Sequence, residues 1–158
     1  MITAPLNSAE LAATGGTIPN DASAVILARP TTDLPLAEIG VLDDYLKKGG
    51  ALFIMADALF NEDAFMQEDG AFNQYLWQTY GLRALDAVVV DPASSGQTPL
   101  DVISAAIFPD NAIAARLDQQ NAPTLFSIAR AVEVSETPPA NTLNGRVIMS
   151  SEQSFGET

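Results

Sequence analysis

Three polar residues close apolar runs in this chain: Arg29 follows Ala24 to Ala28, Asp57 ends "ALFIMAD", and Asp91 ends "ALDAVVVD". If these runs are strands of one parallel sheet, all three residues stand at carboxyl ends, where open α/β sheets bind their ligands. Two carboxylates converging there, within about 6 Å of each other, would hold Mg²⁺ through oxygen ligation and support hydrolase chemistry. Each Asp also has an everyday alternative. Asp57 can cap the next turn, and Asp91, which precedes Pro92, can open one. Arg29, Asp57 and Asp91 are therefore the candidate ligand-binding residues, and no residue is assigned a catalytic role, a metal or a cofactor.

Much other chemistry is excluded. Cysteine and histidine are both absent, which removes thiolate nucleophiles, Ser-His-Asp and Cys-His constellations, and zinc sites built on imidazole or sulfur. Ser127, Ser150 and Ser151 lie in or beside expected strands but have no obvious base. The only lysines, Lys47 and Lys48, sit together at the end of an expected helix. The glycine pairs Gly15-Gly16 and Gly49-Gly50 form neither a dinucleotide fingerprint nor a phosphate-binding loop, because neither lies between a strand and a helix. They read as turns or caps. The aromatic residues of "FNQYLWQTYGL" offer a ligand platform in principle, and core packing or an interface as the commoner use.

A chain of 158 residues with 47% hydrophobic and 17% charged content is expected to form one globular α/β domain, spanning 1–158. The net charge of −13, from 20 acidic against 7 basic residues, repels phosphate backbones and anionic lipid, so nucleic acid is not expected as a partner. The carboxylates are spread along the chain, as on a solvated acidic surface. No apolar run is long enough to span a membrane and no export signal is visible at the start. The lack of cysteine leaves the redox compartment open.

The elements that must position Arg29, Asp57 and Asp91 follow from periodicity. "DASAVILARP" reads as a short parallel-type strand buried on both faces. In "TTDLPLAEIGVLDDYLKKGG" Leu36, Ile39, Leu42 and Leu46 recur at helical spacing, with Asp33 as the expected N-cap, lysines in the last turn and Gly49 past the end. "ALFIM" is a second strand, "GAFNQYLWQTYGL" a second helix closed by Gly81, and "ALDAVVVD" a third strand. This alternation predicts a three-layer, mostly parallel sheet with helices on both faces. Beyond Asp91, "PASSGQTP" and "ETPPANTLNG" read as loops, "LDVISAAIFPDNAIAARL" as a strand or short helix running into a loop, "TLFSIARAVEVS" as one strand or two, and "RVIMSSEQS" as starting with a last strand.

Taken together, "IPNDASAVILARP", "LAEIGVLDDYLKKGGALFIMAD", "YGLRALDAVVVDP" and "VIMSSEQSFGET" resemble the extracytoplasmic domain of the ABC-type uncharacterized transport system family, auxiliary proteins similar to gliding-motility GldG. The matching steps are Arg29-Pro30, Tyr45 through Gly50, Asp57, Tyr80-Gly81-Leu82, Asp91-Pro92 and Ser150 through Thr158. Asn111 and Phe155 depart from the pattern, standing where relatives carry a histidine and a tryptophan.

The resemblance implies a flavodoxin-like fold, similar to class I glutamine amidotransferases, and a longer membrane protein. In it this domain would sit on the extracytoplasmic (periplasmic) face, beside transmembrane helices that pair with an ABC ATPase. It brings no catalytic residue. Three expectations follow: a non-catalytic domain binding a partner or a small-molecule or carbohydrate ligand; a Mg²⁺-dependent hydrolase using Asp57 and Asp91; or a structural module that docks on its transmembrane partner or a second copy, marked by a contiguous apolar patch.

Overall fold

The computed structural model describes residues 3–7, 11, 16–58, 65–104, 106–108, 111–120 and 122–158. In chain order the first elements are β1 (Val25–Ala28), α1 (Leu36–Lys47), β2 (Leu52–Met55), α2 (Ala71–Tyr80) and β3 (Leu82–Val90). They are followed by β4 (Asp101–Ile103), β5 (Ala106–Ile107), α3 (Ala115–Gln119), β6 (Leu125–Ser127), β7 (Arg130–Val134), β8 (Ile148–Met149) and β9 (Phe155–Glu157). The expected βαβ unit is present: β1 and β2 run parallel, with Val25 opposite Leu52 and Ala28 opposite Met55.

Among the described residues the sheet ends there. The expectation of a three-layer, mostly parallel flavodoxin-like or amidotransferase-like sheet is incorrect, because β3 is the middle strand of a separate antiparallel sheet ordered β7-β3-β9. Two further antiparallel pairs, β4 with β6 and β5 with β8, complete the described ladders. Side chains take the backbone positions that a continued sheet would use. Ser135 N donates to Gly81 O at 2.8 Å, so by antiparallel alternation the N–H and C=O of Ala84 face away from β7. There Asn73 of α2 meets them, Nδ2 donating to Ala84 O at 2.7 Å and Oδ1 accepting from Ala84 N at 2.9 Å. A helix side chain thus closes the edge that another strand would extend.

Both long helices also pack on the same face of the parallel pair. Ile39 and Leu42 of α1 and Phe72 and Leu76 of α2 form one core with the inward residues Val25, Leu27, Leu52 and Ile54. Phe72 is fully buried and stacks between Phe65 and Tyr75. The strands expected to be buried on both faces therefore alternate, with Ile26, Ala28, Phe53 and Met55 exposed. Leu36, counted in the apolar stripe of α1, is 76% exposed.

The stretch "YLKKGG" has a complete local explanation. Gly49 N donates to Leu46 O and Gly50 N to Tyr45 O, the paired bonds of a Schellman cap, and Gly49 has the left-handed φ of 91° that this cap requires. Gly50 is crowded instead of twisted: a Cβ there would lie 2.3 Å from the Tyr45 ring. Tyr45 in turn donates from its hydroxyl to Ala22 O at 3.1 Å, tying the end of α1 to the approach to β1. Asp33 does not cap its own helix. Pro35 stands at the N-cap of α1, and Asp33 Oδ2 accepts from Phe72 N in the first turn of α2 at 3.4 Å. Of the other glycine pair, Gly16 turns with φ 74°, and Gly15 lies outside the described residues.

Candidate functional site

The parallel register sets Arg29 and Asp57 side by side just beyond β1 and β2. Arg29 N continues the ladder to Met55 O at 3.1 Å, and its side chain forms an ion pair from Nε to Asp57 Oδ2. The other Asp57 oxygen accepts from Ala58 N, the amide of the next residue, at 3.0 Å, and the turn it was expected to cap would run into residues 59–64, outside the described residues. The side chains are 66% and 39% exposed, so water screens the pair and its net contribution is on the order of 1 kcal/mol or less.

Asp91 is elsewhere and differently occupied. At the end of β3 and with no exposed surface, it accepts four hydrogen bonds: from Ala93 N, Ser94 N and Ser151 Oγ on Oδ1, and from Ser151 N on Oδ2. Burial alone would raise its pKa. The donors, led by the Ser151 hydroxyl and amide, outweigh burial and hold the carboxyl below its ordinary value. A carboxylate so filled has little capacity left for a cation, and one held so acidic is a poor base. Arg29 and Asp57 are brought together, whereas Asp91 lies in another sheet and shares no hydrogen-bond or ion-pair partner with Asp57. Among the described residues no group of three or more Asp or Glu is placed to hold a metal ion.

The serines are likewise structural in their contacts. Ser151 serves Asp91, Ser150 and Ser154 share a hydrogen bond at 2.7 Å, and Ser127 donates to Asp101 at 2.8 Å. Asn111 accepts from Ile113 N within its own turn.

Sequence reasoning missed Arg130. Its side chain is 2% exposed and lies where three β3 residues, Leu85 to Ala87, bulge opposite the single Ala131. Nε donates to Leu85 O, Nη1 to Phe65 O, and Nη2 to Met66 O and to Asp86 at 2.5 Å. The available signal was an arginine heading the apolar strand "RAVEV", where only a fully bonded cation can be buried. Nearby on the same sheet Arg83 pairs with its cross-strand neighbour Glu133 at 2.6 Å and lies 4.7 Å over the Trp77 ring.

An apolar surface lies exposed on the parallel pair. Ile26 at 52%, Phe53 at 60% and Met55 at 51% exposure project, with Ala28, from the outer face of the β1–β2 pair. Ile26 is the ladder partner of Phe53 and Ala28 of Met55, so the four form one contiguous patch. Neither strand contributes a charge, and the Arg29–Asp57 pair marks its carboxyl end.

This architecture has solved counterparts. Three solved chains match it, among them the "mmIFT52 N-terminal domain", at TM-score 0.59 and 20% identity. That match covers 98% of this chain and 64% of the other, so this chain spans less than two thirds of it, and the likeness is one of fold. No curated protein matches the sequence. The model of the ABC-type uncharacterized transport system family matches residues 7–138, and the chain belongs to that family. No helix among the described residues is long and apolar enough to cross a membrane.

Proposed function

We propose that this chain is a non-catalytic, partner-binding domain of an ABC transport system, displayed on the extracytoplasmic face as one domain of a longer membrane protein. Its docking surface is the outer face of β1 and β2. The observation that carries the reading is the contiguous patch of Ile26, Ala28, Phe53 and Met55, exposed on the face of the parallel pair opposite the core. Family membership supports a transport-system component as the occupant. The net charge of −13 favours one whose apolar contact is rimmed by basic residues and disfavours a second copy of this acidic chain.

The hydrolase alternative has less support. Asp57 is neutralised by Arg29, Asp91 is saturated by four donors, and the two carboxylates belong to different sheets.

The test is co-purification of the full-length protein with the membrane and ATPase subunits of its own transporter, with and without Ile26→Glu and Phe53→Glu. The paired substitutions are expected to weaken association at least about tenfold, with a loss of stability of roughly 1 kcal/mol because the two glutamates face each other across the ladder. Undiminished association would refute the docking surface. A homodimer dissolved by the same substitutions would assign the face to a second copy instead.

A further inference from the structure

A second surface feature lies away from the parallel pair, where β7 ends. There a depression of about 380 Å³, of the size small-molecule sites occupy, is walled by Phe108, Val134 and Pro138 and edged by Glu136, Arg146 and Asn144. Two of its lining residues are held in place. Ser135 N and Asn144 Nδ2 both donate to Gly81 O, at 2.8 and 3.4 Å, at the single-residue joint between α2 and β3. Gly81 holds a left-handed φ of 67°, and a Cβ there would come within 2.9 Å of Ser135 and 3.1 Å of Asn144. The joint therefore accepts only glycine without displacing these two residues.

The charges at this depression are unspent. Among the described residues Arg29, Arg83, Arg130 and Lys47 form ion pairs, whereas Lys48, Arg116 and Arg146 form none. Arg146 and Glu136 form none with any described residue and do not pair with each other, although both line the same depression. Separated opposite charges beside an apolar wall are complementary to a ligand that carries both signs on an apolar body. A simple anion would meet the field of a chain with net charge −13, and a simple cation would meet Arg146; a neutral zwitterion avoids both penalties.

We propose that this depression binds a small zwitterion of the amino-acid or dipeptide class. The ligand carboxylate lies on the Arg146 guanidinium, its ammonium group on the Glu136 carboxylate, and its apolar side chain against Phe108, Val134 and Pro138. This goes beyond the docking function and uses a different sheet, so either can fail alone.

The test is calorimetric titration of the domain with leucylglycine, N-acetyl-leucylglycine and leucylglycine amide, repeated on Arg146→Ala and Glu136→Ala. Leucylglycine should saturate, and loss of either ligand charge should weaken binding about tenfold, as expected for one partly exposed charge contact. Arg146→Ala should abolish the preference over the amide and keep that over the acetylated form, and Glu136→Ala should do the reverse. Both side chains are exposed, so the variants should retain the native circular dichroism spectrum. Absence of saturation with leucylglycine, equal affinity for the three compounds, or preferences untouched by the substitutions would each overturn the proposal.

Discussion

Asn73 exchanges two hydrogen bonds with the backbone of Ala84, its amide nitrogen donating at 2.7 Å and its oxygen accepting at 2.9 Å. A side chain 1% exposed here does the work of a missing strand. Asn73→Ala leaves a buried N–H and C=O without partners and is expected to cost roughly 2–4 kcal/mol in urea denaturation. Asn73→Asp keeps the acceptor but turns a carboxylate oxygen on the Ala84 carbonyl, so it should cost at least as much at neutral pH. A loss below about 0.5 kcal/mol for either variant would show that the edge is closed in some other way.

Arg130 fills the register break of β3 with a forked cation. Arg130→Lys retains the charge but cannot reach the Leu85, Phe65 and Met66 carbonyls together, and a loss of roughly 2–4 kcal/mol is expected by the same measurement. Asp86→Asn should cost less, because the Asp86 side chain is 41% exposed. The reverse ranking would assign the stabilisation to the ion pair and not to the carbonyl contacts.

The helix end "YLKKGG" calls for a thermodynamic cycle. Gly50→Ala should destabilise by roughly 1–3 kcal/mol because the new Cβ meets the Tyr45 ring. In a Tyr45→Ala background that obstacle is gone, and the same substitution should cost less than about 0.5 kcal/mol. Gly49→Ala acts through its positive φ alone, so its cost of about 1 kcal/mol should persist in both backgrounds. Equal costs for Gly50→Ala in the two backgrounds would rule out the ring contact as the cause.

Asp91 makes stability depend on pH with a definite sign. Its carboxyl is held below the ordinary value of 3.8 in the folded protein, burial opposing and the Ser151, Ser94 and Ala93 donors prevailing. The folded state then binds fewer protons than the unfolded one, so the contribution is complete above that ordinary value and is lost as pH falls through the lowered one. Melting-temperature profiles of the wild type and Asp91→Asn should differ most near neutrality and converge in acid below pH 3.8. Parallel profiles would mean that the carboxylate is not preferentially charged in the native state.

The helix ends were legible locally, although Asp33 bonds the other helix and Leu36 faces solvent, whereas pairing between distant segments was not legible. The Gly49 and Gly81 helix ends follow from residues a few positions apart, and the βαβ opening from one alternation of strand, helix and strand. The antiparallel course of β3 depends instead on partners some forty to seventy residues away, Arg130 to Val134 and Phe155 to Glu157, and no periodicity within "ALDAVVVD" encodes it. A continuous apolar run likewise does not reveal how many of its faces are covered. Val25 and Leu27 pack against the buried core cluster while Ile26 meets solvent. For that reason the sequence points to the strand ends, where Arg29 neutralises Asp57, and not to the outer face of the sheet. The resemblance carried by "YLKKGGALFIMAD" identified the family correctly while suggesting the wrong sheet.

Docking through the outer face of β1 and β2 is tested most directly by photo-crosslinking in the membrane. A photoreactive amino acid is placed at Phe53 of the full-length protein, with a control at Leu143, whose side chain is fully exposed but distant in sequence from the patch. The account predicts adducts with the subunits of its own transporter from position 53 and far fewer from position 143, and it predicts that Ile26→Glu suppresses the adducts from position 53. Equal yields from the two positions, or adducts from position 53 that persist with Ile26→Glu, would contradict it.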